Sequence, residues 1–256
     1  MKRLLCLLLC AVLCFGLSAC EGEKEMGIAK DQDYRVLFIG NSYTYYNDMW
    51  DLFTKASETL GYTITADHVT QGGYYLDQYL DTTDPYGMQV LQCFAKNTYD
   101  AVFIQEQSTN AVQDYARFEA GVKGLDSKIR TNGAKTILYQ TWGRQEGSPT
   151  LIALGWTNKG MTEDLIAAYA KAAQAIDAAV SPVGAAFYAV YTQHETVELY
   201  DPDTSHPSLA GSYLAALCHV ATFTGADVRN VTFDAGLPAE TVAILKDAAY
   251  TAVFGE

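Results

Sequence analysis

The stretch RVLFIGNSYTYYNDM, residues 35–49, decides the fold. Val36 to Ile39 is a short apolar run rich in β-formers, without the polar alternation of a half-exposed strand. It predicts a strand buried on both faces, as in a parallel sheet. Over residues 48–60 the spacing becomes helical: Met49, Leu52, Phe53 and Ala56 fall on one face, and Gly61 is placed to end the helix. Gly-Asn-Ser lies between the two. This leaves Ser42 at the strand's C-terminal end, where the first N–H groups of a helix point. A turn needs small polar residues and explains as much. A displayed nucleophile needs partners elsewhere in the chain.

The rest of the chain repeats the unit. Residues 62–66, 101–105 and 136–140 are further strand segments, with a weaker one at 180–183. Tyr115, Phe118, Val122, Leu125 and Ile129 recur with helical spacing, as do Leu165, Ile166, Tyr169, Ala173 and Ile176. Thr162 is the expected N-cap of the second set. Two more helices are expected over 209–223, ahead of Gly225, and 239–253. Strands alternating with helices imply a parallel sheet covered on both faces, in one three-layer α/β/α domain over residues 34–256. Residues 143–160, GRQEGSPTLIALGWTNKG, show no period. They read as a long loop after a strand end, where open α/β sheets bind ligands.

Residues 1–19 read as a segment apart. Lys2 and Arg3 precede an apolar run from Leu4 to Leu17, then Ser18-Ala19-Cys20, the anatomy of a secretory signal. LSAC is similar to the lipobox of bacterial lipoproteins. That likeness makes Cys20 the expected lipidated N-terminus and the bacterial cell envelope the expected location. Residues 20–33 then read as a polar tether. Of six cysteines only Cys93 and Cys218 fall in the domain, and both sit in apolar helical patterns. Two buried thiols are the simpler state, beside a single bridge. The net charge is -13, and more negative once Lys2 and Arg3 are removed. Such a surface repels nucleic acid and anionic lipid, so neither is an expected partner.

A serine nucleophile needs a base. The chain has four histidines. His68 follows the second strand segment, His194 lies on a solvated face, and His219 sits inside an apolar helix as a packed residue. His206 differs. In DTSHPS it precedes a helix start and follows Asp203 on the same loop, a spacing that lets the carboxylate reach one ring nitrogen and leaves the other free to face a serine. A plain helix-entry loop also favours Asp, Ser and Pro. In FIQEQSTN, Gln105, Glu106 and Gln107 close the third strand, and a side-chain amide there can donate to a developing oxyanion. In QGGYYL, Gly72 and Gly73 offer bare backbone N–H groups.

These blocks, in this order, resemble the SGNH hydrolases, also called GDSL-like esterases, over nearly all of residues 34–254. Ser42 in GNS matches the block of the catalytic serine, and Gly73 the glycine block. Gln107 stands at the asparagine of the third block, and Asp203 and His206 match the final D-x-x-H block. The first and last blocks are the specific ones. The resemblance implies a flavodoxin-like parallel sheet of about five strands. It also implies a Ser42–His206–Asp203 triad working through an acyl-enzyme, with no cofactor. The oxyanion hole would be the N–H of Ser42, the N–H of Gly73 and the Gln107 amide. Two positions depart from the pattern: Asn41 replaces an aspartate, and Gln107 has a longer arm than asparagine. Glu106 has no role in it.

Tyr43, Tyr45, Tyr46, Tyr74, Tyr75 and Trp142 lie near the expected sheet edge, as surfaces for a sugar ring. Among 18 tyrosines, packing is the plainer use. Arg144 is a cation for an acidic substrate group, or a solvated loop residue. An acetyl ester on a carbohydrate is the expected substrate. The rival is a glycan-binding lipoprotein that keeps the fold without turnover. A metal site from Asp201, Asp203 and His206 is a third possibility, weakened by the stiff Pro202 and Pro207.

Overall fold

β1 (Asp33–Gly40), β2 (Thr63–Thr70), β3 (Ala101–Ile104), β4 (Lys135–Tyr139) and β5 (Ala179–Ser181) form one sheet in the order β2-β1-β3-β4-β5. Every neighbouring pair is parallel. The computed structural model describes residues 27–255. Cys20, the signal segment and the start of the tether lie outside the described residues. No helix among the described residues is long and apolar enough to cross a membrane.

β1 is inner because its side chains have nowhere polar to go. Val36, Leu37, Phe38 and Ile39 are all fully buried. By the strand's alternation Val36 and Phe38 join one core and Leu37 and Ile39 the other. Each such side chain contributes about 1.5–3 kcal/mol on burial. The helices, in chain order, are α1 (Ser42–Tyr45), α2 (Met49–Thr59), α3 (Pro85–Lys96), α4 (Asn110–Gln113), α5 (Tyr115–Asn132), α6 (Pro149–Leu154), α7 (Asn158–Ile176), α8 (Val183–Gln193), α9 (Leu209–Thr224) and α10 (Ala239–Phe254). α2, α8, α9 and α10 pack on the Phe38 face, and α3, α5 and α7 on the Leu37 face.

Several expectations need correction. β2 runs on to Thr70, so His68 lies within the strand. Residues 143–160 are not one loop: α6 starts at Pro149, capped by Ser148, and ends at left-handed Gly155. α7 then starts at Asn158 with Thr157 as its cap, so Thr162 is one turn inside and its hydroxyl donates to the Asn158 carbonyl. The break at Gly155 splits the segment into pieces too short to show a period. Ile166 is 40% exposed and lies off the buried stripe of α7. Val183 belongs to α8, which follows β5 after Pro182 alone. Cys93 and Cys218 are both free thiols.

The strand order reverses between β1 and β3, whose C-terminal ends diverge into loops on opposite faces. Such a switch point opens a crevice at the sheet's C-terminal edge. The turns after β1, β3 and β4 all reach that edge.

Candidate active site

Ser42 is presented by a turn that leaves no spare volume. A Cβ on Gly40 would stand 2.4 Å from Thr44 Oγ1 and 2.7 Å from Gln105 Oε1. Asn41 is buried, and all its polar groups are used. Its N–H donates to Gln105 Oε1 at 2.8 Å, and its Oδ1 caps α1 by accepting from Tyr43 N at 3.2 Å. Its Nδ2 donates to Tyr74 O at 3.0 Å. An aspartate has no donor for that last bond. The departure at position 41 thus fastens the serine turn to the Gly72-Gly73 loop.

The D-x-x-H loop folds on itself. Asp203 Oδ1 accepts from Ser205 N at 3.0 Å and His206 N at 2.9 Å, while Oδ2 bonds His206 Nδ1. His206 Nε2 lies 2.8 Å from Ser42 Oγ. Burial alone would raise the Asp203 carboxyl. The hydrogen bonds from His206 and Ser205 outweigh it and hold the group below the usual carboxylate range. The loop is braced from beneath: Trp142 Nε1 donates to Ser205 O at 3.1 Å, and the Tyr43 hydroxyl lies 2.7 Å from Ser205 Oγ.

Three residues that fix the histidine carried no signal as a motif. The Tyr46 ring stacks on His206 with centroids 4.2 Å apart and planes 6° from parallel. After it the chain kinks through Asn47 at φ 54° and Asp48 at φ 49°, both left-handed without being glycine. Asn47 Nδ2 donates to Pro207 O at 3.1 Å and Ser212 Oγ at 2.9 Å, tying the kink to the histidine's own loop.

For an oxyanion, Ser42 N sits in the first turn of α1, where N–H groups lack helical partners. Gly73 is exposed at φ 75°, with no atom within 4 Å of where a Cβ would be. Gln107 Oε1 accepts from Thr109 N at 2.8 Å and Thr109 Oγ1 at 3.1 Å, which leaves the NH₂ end as the remaining donor.

Glu106 is fully buried. Its carboxylate accepts from Gln107 N at 2.6 Å and Leu76 N at 3.3 Å, joining the turn after β3 to the segment after Gly73. Burial pushes its pKa from 4.5 up to about 7, against those two hydrogen bonds. A carboxyl whose folded pKa is raised loses stability as pH climbs from its ordinary value to the folded one. Between pH 4 and 8, the wild type is expected to lose about 3 kcal/mol more stability than Glu106→Gln. Denaturant melts across that range check this, and parallel curves for the two proteins would refute it.

The aromatic expectations divide. Tyr43 and Trp142 are 2% and 0% exposed and stack on each other at 4.4 Å, so they brace the site and do not line it. The half-buried Tyr74 spends its hydroxyl on Asp84 Oδ2 at 2.9 Å. Tyr45 and Tyr46 are the half-buried rings beside Ser42. His68 stacks on Trp50, and burial lowers its pKa. His219 is packed as expected: its Nδ1 lies 2.7 Å from Ser181 Oγ, and burial drops its pKa to about 3. Among the described residues no group of three or more His, Cys, Asp and Glu is placed to hold a metal.

No family model and no curated protein matches the chain. Among solved structures, a Slackia heliotrinireducens protein assigned to the SGNH hydrolases is 30% identical, with a TM-score of 0.67 over 75% of this chain and 99% of that one. A DUF4886 family protein from Bacteroides uniformis is 18% identical, with a TM-score of 0.76 over 87% of this chain and 95% of that one. A mutant of an acetyl-xylooligosaccharide esterase from Geobacillus is 14% identical, with a TM-score of 0.51 over 78% and 95%. The last two are likenesses of fold.

Proposed function

The chain belongs to the SGNH hydrolase superfamily, and from that premise we propose that it is a serine esterase. One observation carries the reading: a continuous hydrogen-bonded chain from Ser42 Oγ through His206 to Asp203. His206 Nε2 takes the Ser42 proton as Oγ adds to an ester carbonyl. The N–H groups of Ser42 and Gly73 and the Gln107 amide meet the oxyanion. The carbonyl re-forms as the alcohol leaves with the proton from His206. Water then adds under the same base, and the acid departs from Ser42.

The ester we assign is an acetyl group on a carbohydrate. Supporting it are the half-buried Tyr45 and Tyr46 beside the serine and the fold shared with an acetyl-xylooligosaccharide esterase. The test is labelling by a fluorophosphonate with mapping of the adduct, next to hydrolysis of 4-nitrophenyl acetate. An adduct on Ser42, lost in His206→Ala, is the expected result. Absence of both label and turnover would leave the fold as a glycan-binding scaffold.

We further propose that Cys20 anchors the protein to a bacterial envelope, on the strength of the LSAC box. Incorporation of labelled palmitate is expected in the wild type and absent in Cys20→Ser. Labelling that survives the substitution would end the proposal.

A further inference from the structure

Arg144 stands apart from the other described arginines. Arg35, Arg117, Arg130 and Arg229 each meet an aspartate, at 2.8, 2.9, 2.8 and 2.7 Å. Arg144 has no carboxylate partner among the described residues. One terminal nitrogen donates to Ser108 Oγ at 3.0 Å, and its Nε is buried without a hydrogen-bond partner. Ser108 follows Gln107 in the turn after β3, so the guanidinium is tied to one of the turns at the sheet's C-terminal edge. Its charge also reaches the brace beneath the triad: burial raises the pKa of the Tyr43 hydroxyl, and Arg144 is the strongest opposing influence.

The backbone that carries Arg144 is held tightly. Tyr200 donates to Gly143 O at 2.6 Å, and Asn158 Nδ2 to Arg144 O at 2.8 Å. Gln145 N donates to Thr204 O at 3.0 Å, inside the D-x-x-H loop. A Cβ on Gly143 would fall 2.5 Å from Thr162 Oγ1 and 2.6 Å from Asn158 O. A guanidinium partly withdrawn from water without a counter-ion is costly. In a chain of net charge -13 an aspartate or glutamate partner would be easy to supply, yet none stands here.

We infer that Arg144 is an anion subsite of the Ser42 site, and that the ester it serves carries a carboxylate near the ester group. The inference rests on the esterase reading. A carboxylate is the partner that a planar guanidinium binds through two parallel bonds. It could belong to the acyl chain or to an acidic sugar on the alcohol side.

Two pairs of esters separate those sources. Mono-4-nitrophenyl succinate against 4-nitrophenyl butyrate puts the charge on the acyl side. Acetylated glucuronic acid against acetylated glucose puts it on the alcohol side. In one pair the wild type is expected to favour the charged member, and Arg144→Gln to lower the charged-to-neutral ratio of kcat/KM by about tenfold to a hundredfold. Arg144→Lys is expected to recover part of it. An unchanged ratio, with both members falling together, makes Arg144 a brace for Ser108 and overturns the inference. So does the absence of a preference in both pairs. Calorimetry with free succinate and glucuronate on Ser42→Ala needs no turnover. Binding that Arg144→Gln removes supports the subsite even where no ester is cleaved, an outcome that sinks only the esterase reading. Cleavage of neutral esters with no binding of either acid sinks only the subsite.

Discussion

Replacing Ser42 by alanine is expected to lower kcat on 4-nitrophenyl acetate by about 10⁶-fold, and His206→Ala to cost nearly as much. The two act as one unit, since the proton that leaves Oγ has Nε2 waiting 2.8 Å away. Removing either partner ends the same step, so the double variant is expected to be no slower than the worse single one. What survives is the rate given by binding and the oxyanion donors alone. The loss is chemical in origin: the hydroxyl of half-buried Ser42 bonds only His206 among the described residues, so its removal opens no cavity and orphans no buried donor. Melting temperatures of wild type and Ser42→Ala are therefore expected to agree within a few degrees. Losses that multiply in the double variant would mean two independent roles. Activity kept within tenfold in Ser42→Ala would move the nucleophile elsewhere.

The parts of this site that were legible in the sequence are those with local cause. Asp203 and His206 are bonded across three residues of one loop, and a D-x-x-H spacing on a helix-entry turn states that contact directly. Ser42 meets the same histidine across 164 residues, and only the βα pattern, which places strand ends on one edge, connects them. β1 was legible because all of Val36 to Ile39 is buried on both faces. α8 was not. It is apolar nearly all round and starts without a side-chain cap, and its Gly184 is there because a Cβ would meet Thr141 O at 2.0 Å.

The braces are harder to see because their residue types are common. Tyr43 and Trp142 were expected to face substrate, since position along the chain does not say which way a ring turns. In the fold, Tyr43 reaches Ser205 across 162 residues and lies under the loop. Tyr46 reaches His206 because Asn47 and Asp48 turn left-handed behind it. A faint signal did exist there: Asn and Asp are the non-glycine residues that tolerate that conformation best. Arg144 was legible only as a cation near a strand end. Its lack of a carboxylate partner among the described residues is a property of three-dimensional placement.

Asp203→Asn is expected to lower kcat by about 10³-fold with little change in KM. The backbone N–H groups of Ser205 and His206 hold Oδ1, so the new NH₂ must take the place of Oδ2. It then faces His206 Nδ1, where an N–H already points. Two donors cannot share that contact. Either the bond is lost, or the ring moves its proton to Nε2, and a protonated Nε2 cannot accept from Ser42. A buried aspartate in this role is worth about 10⁴-fold when exchanged for asparagine. Asp203 has 47% of its side chain exposed, so water can replace part of its field, which sets the smaller figure. Its depressed pKa adds a pH signature. Whatever stability the carboxylate gives is present above its ordinary pKa and lost as pH falls through the lower folded one, and the asparagine variant lacks that acid-side loss. Steady-state kinetics beside acid melts separate the two effects. An Asp203→Asn enzyme within tenfold of wild type would reduce Asp203 to a cap on its own loop.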